Sequence, residues 1–438
     1  MNEEVLVAQT LVQKIIARAS GQSHVAPGAM VSCKIDLVMA HDGSGPQRWA
    51  SQLKELNAEI WDPSKIVLIT DHYVPPADQE SAAILKLTRD FAKAHGIDQF
   101  HDMQGICHVV LPEYGYLKPG MFVCGGDSHS PTGGAFGCYM AGYGWTDIAA
   151  MVITGDTWTI VPETIRVNLS GGFADCVAAK DVMLLLCREL GMDNSFKVVE
   201  YGGGLVADLS VQERMVLTNM AAELGCETGI IEADQKTLDH IRAHGGHVDD
   251  DALEWRSDRD APYEAVHDFH ISTLEPQVAA PHSPSNSGPV SAHVGQRIDQ
   301  CYIGACTGAK LEDLHMAARI LKGRQVSPDT RLLVAPASAL TTKHAVADGT
   351  LQILLEAGVV MLPTGCGACA GLGSGVLTAG EVCMSSTNRN FKGRMGHKDS
   401  DVYLGSPYTV AATAVAGRIA DPREILADAP AHPQGAVS

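Results

Sequence analysis

Three cysteines stand in glycine-rich stretches whose spacing suits a metal site. Cys306 lies in the stretch IGACTG, and Cys366 and Cys369 form a C-x-x-C pair in the stretch GCGAC. A single C-x-x-C pair is weak evidence, because zinc sites, redox motifs and chance all produce it. Zinc usually takes a fourth ligand at a regular spacing, and a thioredoxin-like pair would open a helix soon after the first strand. The spacing favours three thiolates around an iron–sulfur cluster with one iron free of protein ligands, and zinc or plain buried thiols remain alternatives.

Two further motifs place a carboxylate next to an imidazole, each directly after a predicted strand. They are Asp71-His72 and Asp127-Ser128-His129. A carboxylate beside a histidine can fix the tautomer of the ring or hold it for acid–base chemistry. Taken singly, a capping aspartate followed by a surface histidine is the more common explanation of such a pair.

Four other side chains have both a functional and an ordinary interpretation. His108 lies inside a predicted apolar strand, and Glu223 sits among small apolar residues, where a buried carboxylate needs a partner. Arg389 and Arg394 belong to a short basic stretch with a glycine, which suits bidentate capture of carboxylates. The ordinary alternatives are a core histidine, an exposed glutamate and a solvated basic loop. Together with the cysteines, these groups favour the hypothesis of one combined site.

Composition restricts the class of protein. The chain has 438 residues, of which 45% are hydrophobic, so it can form two or three domains with ample cores. Its net charge of −19 argues against non-specific binding to nucleic acid. No apolar run reaches the roughly 18 residues of a membrane span, and residues 1–20 lack the features of a signal peptide. We therefore expect a cytoplasmic protein without a membrane or nucleic-acid partner, whose other nine of twelve cysteines are buried thiols in a reducing compartment.

Short apolar strands alternate with amphipathic helices, which predicts an α/β fold with mainly parallel sheets. Polar residues collect after the strands, where open sheets place their ligand sites. The predicted strands span residues 30–39, 65–69, 106–111, 121–124, 164–169, 301–303, 331–334 and 359–361. The predicted helices span residues 5–19, 81–95, 134–154, 181–190, 211–224, 234–243, 311–321 and 341–356. Residues 245–296 contain many prolines and are predicted to be loops and a linker.

With these residues in view, the chain resembles the aconitase superfamily, most closely the large subunits of its isopropylmalate dehydratase and homoaconitase branch. The resemblance covers residues 11–422 and rests on the motifs GDSH (126–129), GAFG (134–137), IGACT (303–307), CGAC (366–369), NRNFKGR (388–394) and YLGSP (403–407). It implies three-layer α/β/α units in three aconitase-like domains, without the swivelling fourth domain. We expect these domains at residues 1–165, 166–296 and 297–438, the second with the loop-rich linker and the third with the cluster cysteines.

The resemblance also implies a role for each candidate residue. The ligands of one [4Fe–4S] cluster per chain would be Cys306, Cys366 and Cys369, and the fourth iron would bind the substrate. The implied catalytic residues are Asp71, His72, His108, Asp127, His129 and Glu223. The implied substrate-binding residues are Ser128, Arg389 and Arg394, and Asn219 and Asn388 would hydrogen-bond near the cluster.

The activity implied by the resemblance is that of a hydro-lyase. Such an enzyme moves the hydroxyl group of a small hydroxy di- or tricarboxylate by dehydration and rehydration, which needs a Lewis acid for the leaving hydroxide and a base for the α-proton. In the family that base is a serine on the swivelling domain, and this chain ends too soon after residue 423 to contain it. We therefore expect a separate small subunit, in a heterodimer or heterotetramer, that completes the site.

Some positions depart from the family pattern. Gly308 stands where asparagine is usual, Ala368 where proline is usual, and the loop at residues 41–46 resembles the archaeal-type branch. The 3-isopropylmalate reaction is therefore our first expectation, and a related hydratase for methylmalate, dimethylmalate, maleate or homoaconitate is the alternative. A cluster-free regulatory or RNA-binding relative is disfavoured by the acidic charge, and a zinc protein by the missing fourth ligand.

Overall fold

The computed structural model describes residues 7–428, which form three larger sheets and one two-stranded sheet, flanked by helices. The helices are α1 (Leu11–Ser20), α2 (Pro46–Leu56), α3 (Gln79–Ala94), α4 (Cys107–Glu113), α5 (Trp145–Thr154), α6 (Ala179–Glu189), α7 (Gly204–Asp208), α8 (Val211–Asn219), α9 (Gln235–Ala243), α10 (Leu311–Leu321), α11 (Ala339–Ala347), α12 (Thr350–Glu356), α13 (Pro407–Ala416) and α14 (Pro422–Ala427). The strands are β1 (Met30–Lys34), β2 (Leu37–His41), β3 (Ile66–Thr70), β4 (Phe100–Asp102), β5 (Phe122–Gly125), β6 (Tyr139–Gly142), β7 (Asp156–Ile160), β8 (Glu163–Ser170), β9 (Lys197–Gly202), β10 (Thr228–Ile231), β11 (Ala265–His270), β12 (Gln277–Ala279), β13 (Ser287–Pro289), β14 (Gln300–Ile303), β15 (Arg331–Val334), β16 (Val360–Met361), β17 (Val382–Ser385) and β18 (Asp401–Gly405).

The three sheets follow one another along the chain and are mainly parallel. The first has the order β4-β3-β2-β5-β6 and the second β10-β9-β8-β11, and every pairing in both is parallel. The third has the order β13-β12-β18-β17-β14-β15-β16, in which β12 pairs antiparallel with both of its neighbours. The prediction of an α/β fold with mainly parallel sheets is confirmed, whereas the three domain boundaries stay a prediction.

The strand predicted at residues 106–111 is wrong, because this segment forms α4. A short apolar run does not reveal its period, so a buried helix and a buried strand look alike in sequence. The helix is stabilised at its first turn by a residue distant in sequence, since the Asp71 carboxylate accepts a hydrogen bond from the Cys107 N–H at 2.7 Å. His108 consequently lies on the first turn of a buried helix and points into the site described below.

Other element boundaries also differ from the prediction. The strand predicted at residues 30–39 is split, because the Asp36 carboxylate accepts the Phe122 N–H at 2.7 Å and the chain changes direction there. Its first half, β1, pairs antiparallel with β7, and its second half, β2, joins the first sheet. The helix predicted at residues 134–154 contains a 3-10 turn and β6 before α5 begins. The predicted linker contributes β11 to the second sheet and β12 and β13 to the third.

The predicted helix at residues 5–19 begins at Leu11, and residues 5 and 6 lie outside the described part of the chain. Thr10 and Gln13 form a capping box, which satisfies free N–H groups at the start of α1. The apolar face of this helix, with Leu11, Ile15 and Ile16, packs in the same buried core as β2 and β3. Within residues 7–428, no helix combines the length and the apolar character needed to cross a membrane.

Candidate active site

Polar side chains gather where the strands of the first and third sheets end. Asp71 follows β3 and Asp127 follows β5, while Cys306 follows β14 and Asn388 follows β17. The carboxyl ends of parallel strands share one edge of a sheet, which is the usual position of ligand sites. The two edges are joined directly, since the Cys366 N–H donates a hydrogen bond to the Asp71 carbonyl at 2.8 Å.

Asp71 and His72 form a charged pair at this junction. His72 Nδ1 lies 2.6 Å from Asp71 Oδ1, and the carboxylate is fully buried. Burial lowers the pKa of His72, but the interactions of the ring with Cys366 and Asp71 outweigh burial and hold that pKa well above its usual range. Burial alone would raise the pKa of Asp71, but the neighbouring His72 more than offsets this effect, and the pKa falls to about 2. The pair is therefore an imidazolium and a carboxylate at neutral pH, and the ring proton on Nε2, the nitrogen that does not bond to Asp71, can be donated.

A second group of side chains joins the edge of the first sheet to Glu223, which lies in the turn that follows α8. His108 Nε2 lies 2.7 Å from Asp127 Oδ1, and the backbone N–H of His129 donates to the same oxygen at 2.8 Å. His129 Nε2 lies 3.0 Å from Glu223 Oε1. Burial raises the pKa values of Asp127 and Glu223, but the adjacent histidines lower both below their usual range. The sequence alternative of an exposed Glu223 is thus wrong, because this carboxylate is buried and paired.

Arg389 connects this group to the third sheet. Its Nε donates to Glu223 Oε1 at 2.7 Å, and its Nη1 donates to Ser128 Oγ at 3.1 Å. Among residues 7–428, His108 Nδ1 and Glu223 Oε2 are buried polar atoms without a hydrogen-bond partner. Unsatisfied buried polar atoms are costly, so a bound polar ligand that reaches these two atoms would complete the group.

The three cysteines and two asparagines form the floor of the site. Asn219 Nδ2 donates to Cys306 Sγ at 3.1 Å, and the Asn219 and Asn388 amides hydrogen-bond to each other. Asn388 Oδ1 lies 3.7 Å from Cys306 Sγ and 3.9 Å from Cys369 Sγ, so one amide contacts both sulfurs. Burial raises the pKa of Cys306 above its usual range and that of Cys366 to about 12. Such thiols stay protonated at neutral pH unless a metal replaces the proton, and they are the residues that could hold one.

Arg394 is less closely connected to these groups. Its backbone carbonyl lies 3.0 Å from the position that a Cβ on Gly371 would take, beside the cysteine loop. Its Nε is buried, and in the described part of the chain no acceptor bonds to it. The described contacts do not join Arg394 to Arg389, Glu223 or His129.

Two residues of the site were not identified from the sequence, although their loop was. Asp42 accepts the backbone N–H groups of Asp71, His72 and Tyr73 at 3.2, 3.0 and 2.8 Å. The His41 ring stacks on His72 with centroids 3.8 Å apart, and its Nδ1 accepts the Gly43 N–H at 3.0 Å. Neutral His41 therefore carries its proton on Nε2, which lies 3.8 Å from Asp127 Oδ2. The signal was their position where β2 ends and the polar loop begins.

Gly308 is explained by the side chain that lies against it. A Cβ at this position would come within 2.6 Å of the Ser386 backbone oxygen, and Ser386 Oγ itself accepts the Gly304 N–H at 3.1 Å. We expect Gly308→Ala to lower the free energy of unfolding by about 1–3 kcal/mol, since the backbone cannot move away freely. Urea unfolding measures this, with Gly172→Ala as the control, because nothing lies within 4 Å of that glycine. Equal stability of the two variants would contradict the prediction.

Comparison with known proteins gives one consistent result. The chain matches the family described as "Aconitase family (aconitate hydratase)" over residues 13–417. It is 45% identical over 423 residues to the "3-isopropylmalate dehydratase large subunit 1" of Methanopyrus kandleri, covering 96% of this chain and 100% of that one. It is 43% identical over 418 residues to the "Methanogen homoaconitase large subunit" of Methanocaldococcus jannaschii, covering 94% and 99% of the two chains.

A solved structure shows the same fold at lower similarity. The crystal structure of Thermococcus kodakaraensis aconitase X in its holo-form aligns with a TM-score of 0.50 and 13% identity, covering 96% of each chain. At this identity the likeness concerns the fold alone. The family match over most of the chain and the relatives above 40% identity show that this chain belongs to the aconitase family.

Proposed function

We propose that this hydro-lyase is the large subunit of a 3-isopropylmalate dehydratase-like enzyme, which removes water from a small hydroxy di- or tricarboxylate and adds it back at the neighbouring carbon. The main support for the proposal is that two consecutive residues, Asn388 and Arg389, contact the two parts of the site. Asn388 contacts the sulfurs of Cys306 and Cys369, and Arg389 binds Glu223 and Ser128. The cysteine floor and the acid–base groups therefore form one site.

The three thiols support a [4Fe–4S] cluster better than a single zinc ion. A tetrahedral zinc ion holds its sulfur ligands about 3.8 Å apart. Among residues 7–428, the groups whose ligand atoms all lie within 4.8 Å of one another contain histidines and aspartates but none of the three cysteines. Soft thiolates at a wider spacing suit an iron–sulfur cluster, and three of them leave one iron without a protein ligand. That iron would supply a Lewis acid for the substrate's hydroxyl and carboxylate.

The polar residues of the chain supply the remaining steps. His72 donates its Nε2 proton to the departing hydroxyl group, while Asp71 holds the ring and its charge. Arg389 uses its Nε and Nη1 groups for Glu223 and Ser128, and its Nη2 group would bind a substrate carboxylate. Arg394 would supply a second cation, and Ser128 would contact the substrate beside Arg389. His108, Asp127, His129 and Glu223 hold the hydrogen bonds around the water that leaves and returns. Asn219 and Asn388 orient the Cys306 sulfur.

The pH profile should follow the raised pKa of His72. A protonated acid is present below its folded-state pKa and is lost as the pH rises through that value, so kcat/KM should fall on the alkaline side. Asp71→Asn removes the carboxylate charge that helps to raise this pKa, and the alkaline limb should move to lower pH. Measuring kcat/KM against pH for both proteins tests this. An alkaline limb that stays in place would contradict the assignment of His72 as the acid.

Homoaconitate is the second candidate substrate, because the relative named for it is nearly as similar to the chain as the one named for 3-isopropylmalate. Methylmalate, dimethylmalate and maleate remain further possibilities within the same chemistry. The names of both relatives contain "large subunit", which supports a separate small subunit for this chain, and we propose that it carries the swivelling domain and the base for the α-proton. All twelve cysteines are unpaired, which supports a reducing, cytoplasmic compartment.

The test is anaerobic purification with the small subunit, followed by assays on a panel of malate and citrate homologues. We expect a brown protein whose broad visible absorbance fades on oxidation, and hydration of the unsaturated acid in the same preparation. Protein that stays colourless after reconstitution with iron and sulfide would contradict the cluster. Coloured protein without turnover on any member of the panel would contradict the reaction.

A further inference from the structure

A buried lysine links the second sheet to the loop that carries Asn388 and Arg389. Lys180 is the second residue of α6 and is 1% exposed. Its Nζ donates to the Thr387 carbonyl at 2.6 Å and to the Ser386 carbonyl at 3.4 Å. These two carbonyls directly precede Asn388, whose amide contacts two of the cysteine sulfurs. The lysine thus holds the backbone on which the contacts of the cysteine floor depend.

The position is unfavourable for a cation in three respects. The ammonium group is removed from water, which costs several kcal/mol in the absence of an opposite charge. In the described part of the chain no carboxylate forms an ion pair with it, whereas the other buried lysine near the cysteines, Lys310, pairs with Asp313 at 2.7 Å. It also lies in the first turn of a helix, where the macrodipole repels positive charge. Something else must therefore stabilise this charge.

The groups that favour the charged form of Lys180 include cysteines of the proposed cluster. Burial lowers its pKa to about 8, and the groups that oppose this effect are Glu223, Cys369, Cys187 and Cys306. Glu223 already pairs with Arg389 and His129. Two of the remaining groups are cysteines of the proposed cluster, and their thiols are negatively charged only when they bind metal. Metal binding by Cys306 and Cys369 would therefore place thiolate charge against Asn388, the residue directly after the Thr387 carbonyl that Lys180 binds.

We propose that Lys180 is a positioning residue that holds the Ser386–Thr387 backbone in place and is stabilised by the negative charge of the metal-loaded cysteines. This inference rests on the proposed function, since it needs three thiolates at Cys306, Cys366 and Cys369. It gives Lys180 opposite effects in the two states of the protein. The charge destabilises the metal-free protein, and it stabilises the loaded one through the loop that carries Asn388.

Lys180→Met tests this coupling because methionine has a similar length and no charge. We expect the variant to release iron to a chelator about tenfold faster than the wild type, a typical size for coupling between two sites. Its metal-free form should unfold at the same urea concentration as the wild type or at a higher one. Lys180→Gln keeps a donor for the Thr387 carbonyl without the charge, and it should also release iron faster. If Lys180→Met does not fold, Lys180→Gln serves as the test in its place.

Arg214→Met is the matched control, because Arg214 is equally buried but pairs with Asp234 at 2.6 Å. It should lower the stability of the loaded and metal-free forms by the same amount and leave the relative rate of iron release unchanged. The inference would be overturned if Lys180→Met lowered the stability of the metal-loaded and metal-free forms equally, or if it released iron at the wild-type rate. If the wild-type protein takes up no iron, both the proposed function and this inference are overturned. If the wild type takes up iron and Lys180→Gln releases it at the wild-type rate, the inference alone is overturned.

Discussion

Replacing Cys306 with serine is expected to remove the visible absorbance of the protein and to lower turnover by at least about 10³-fold, because a Lewis acid supplies several kcal/mol to such a reaction. Cys306 is the cysteine that both asparagines contact, and it comes from a different loop than Cys366 and Cys369. Its loss leaves two thiols from one short turn, which cannot hold a cluster on their own. The measurements are the absorbance spectrum and the turnover of anaerobically reconstituted protein.

The control for this experiment is Cys226→Ser. Cys226 is 8% exposed, is also a free thiol, and belongs to the apolar core of the second sheet. We expect this variant to keep both colour and activity, because a thiol in an apolar core contributes mainly packing. Retention of turnover by Cys306→Ser would remove the basis for the cluster.

The second large effect is expected for His72→Gln, which should lower kcat by about 10²–10⁴-fold, the usual contribution of a general acid. Glutamine fills similar space but cannot deliver a proton. His41 is not an equivalent donor, since the carboxylates near its ring lie 3.8 Å or more away, whereas Asp71 holds His72 at 2.6 Å. The cluster absorbance should be retained, because all three cysteine ligands are still present.

His270→Gln is a suitable control for this variant. His270 is exposed on β11, an edge strand of the second sheet, and the variant should keep wild-type kcat. The comparison separates the loss of a proton donor from a general effect of removing a histidine. A His72→Gln enzyme with wild-type kcat would show that another group donates the proton.

The positions of the strand-end residues could be predicted because their signals are local. Asp71, Asp127 and Cys306 each follow a short apolar strand, and parallel sheets bring such residues to one edge. The conformation of residues 106–111 could not be predicted, because the carboxylate that stabilises the first turn of α4 comes from Asp71. Local pattern contains no information about such a partner.

Lys180 shows the same limit more strongly. The helix predicted at residues 181–190 forms as α6, which begins two residues earlier, at Ala179, and therefore includes Lys180. Its burial depends on the Ser386–Thr387 carbonyls of the third sheet, which no local pattern connects to α6. His41 and Asp42 are intermediate cases. Their loop follows a predicted strand and is polar, which indicates a place for chemistry, but the contacts of the two side chains are made with residues that follow β3.

The contact between Arg389 and Ser128 also has a consequence for the order of folding. These residues are 261 positions apart in the chain, so closing this loop costs entropy that local contacts do not repay. Each sheet is built from consecutive segments and can form first, and the contacts between the sheets then form late on the pathway. Substitutions at the site should therefore accelerate unfolding while leaving the refolding rate nearly unchanged.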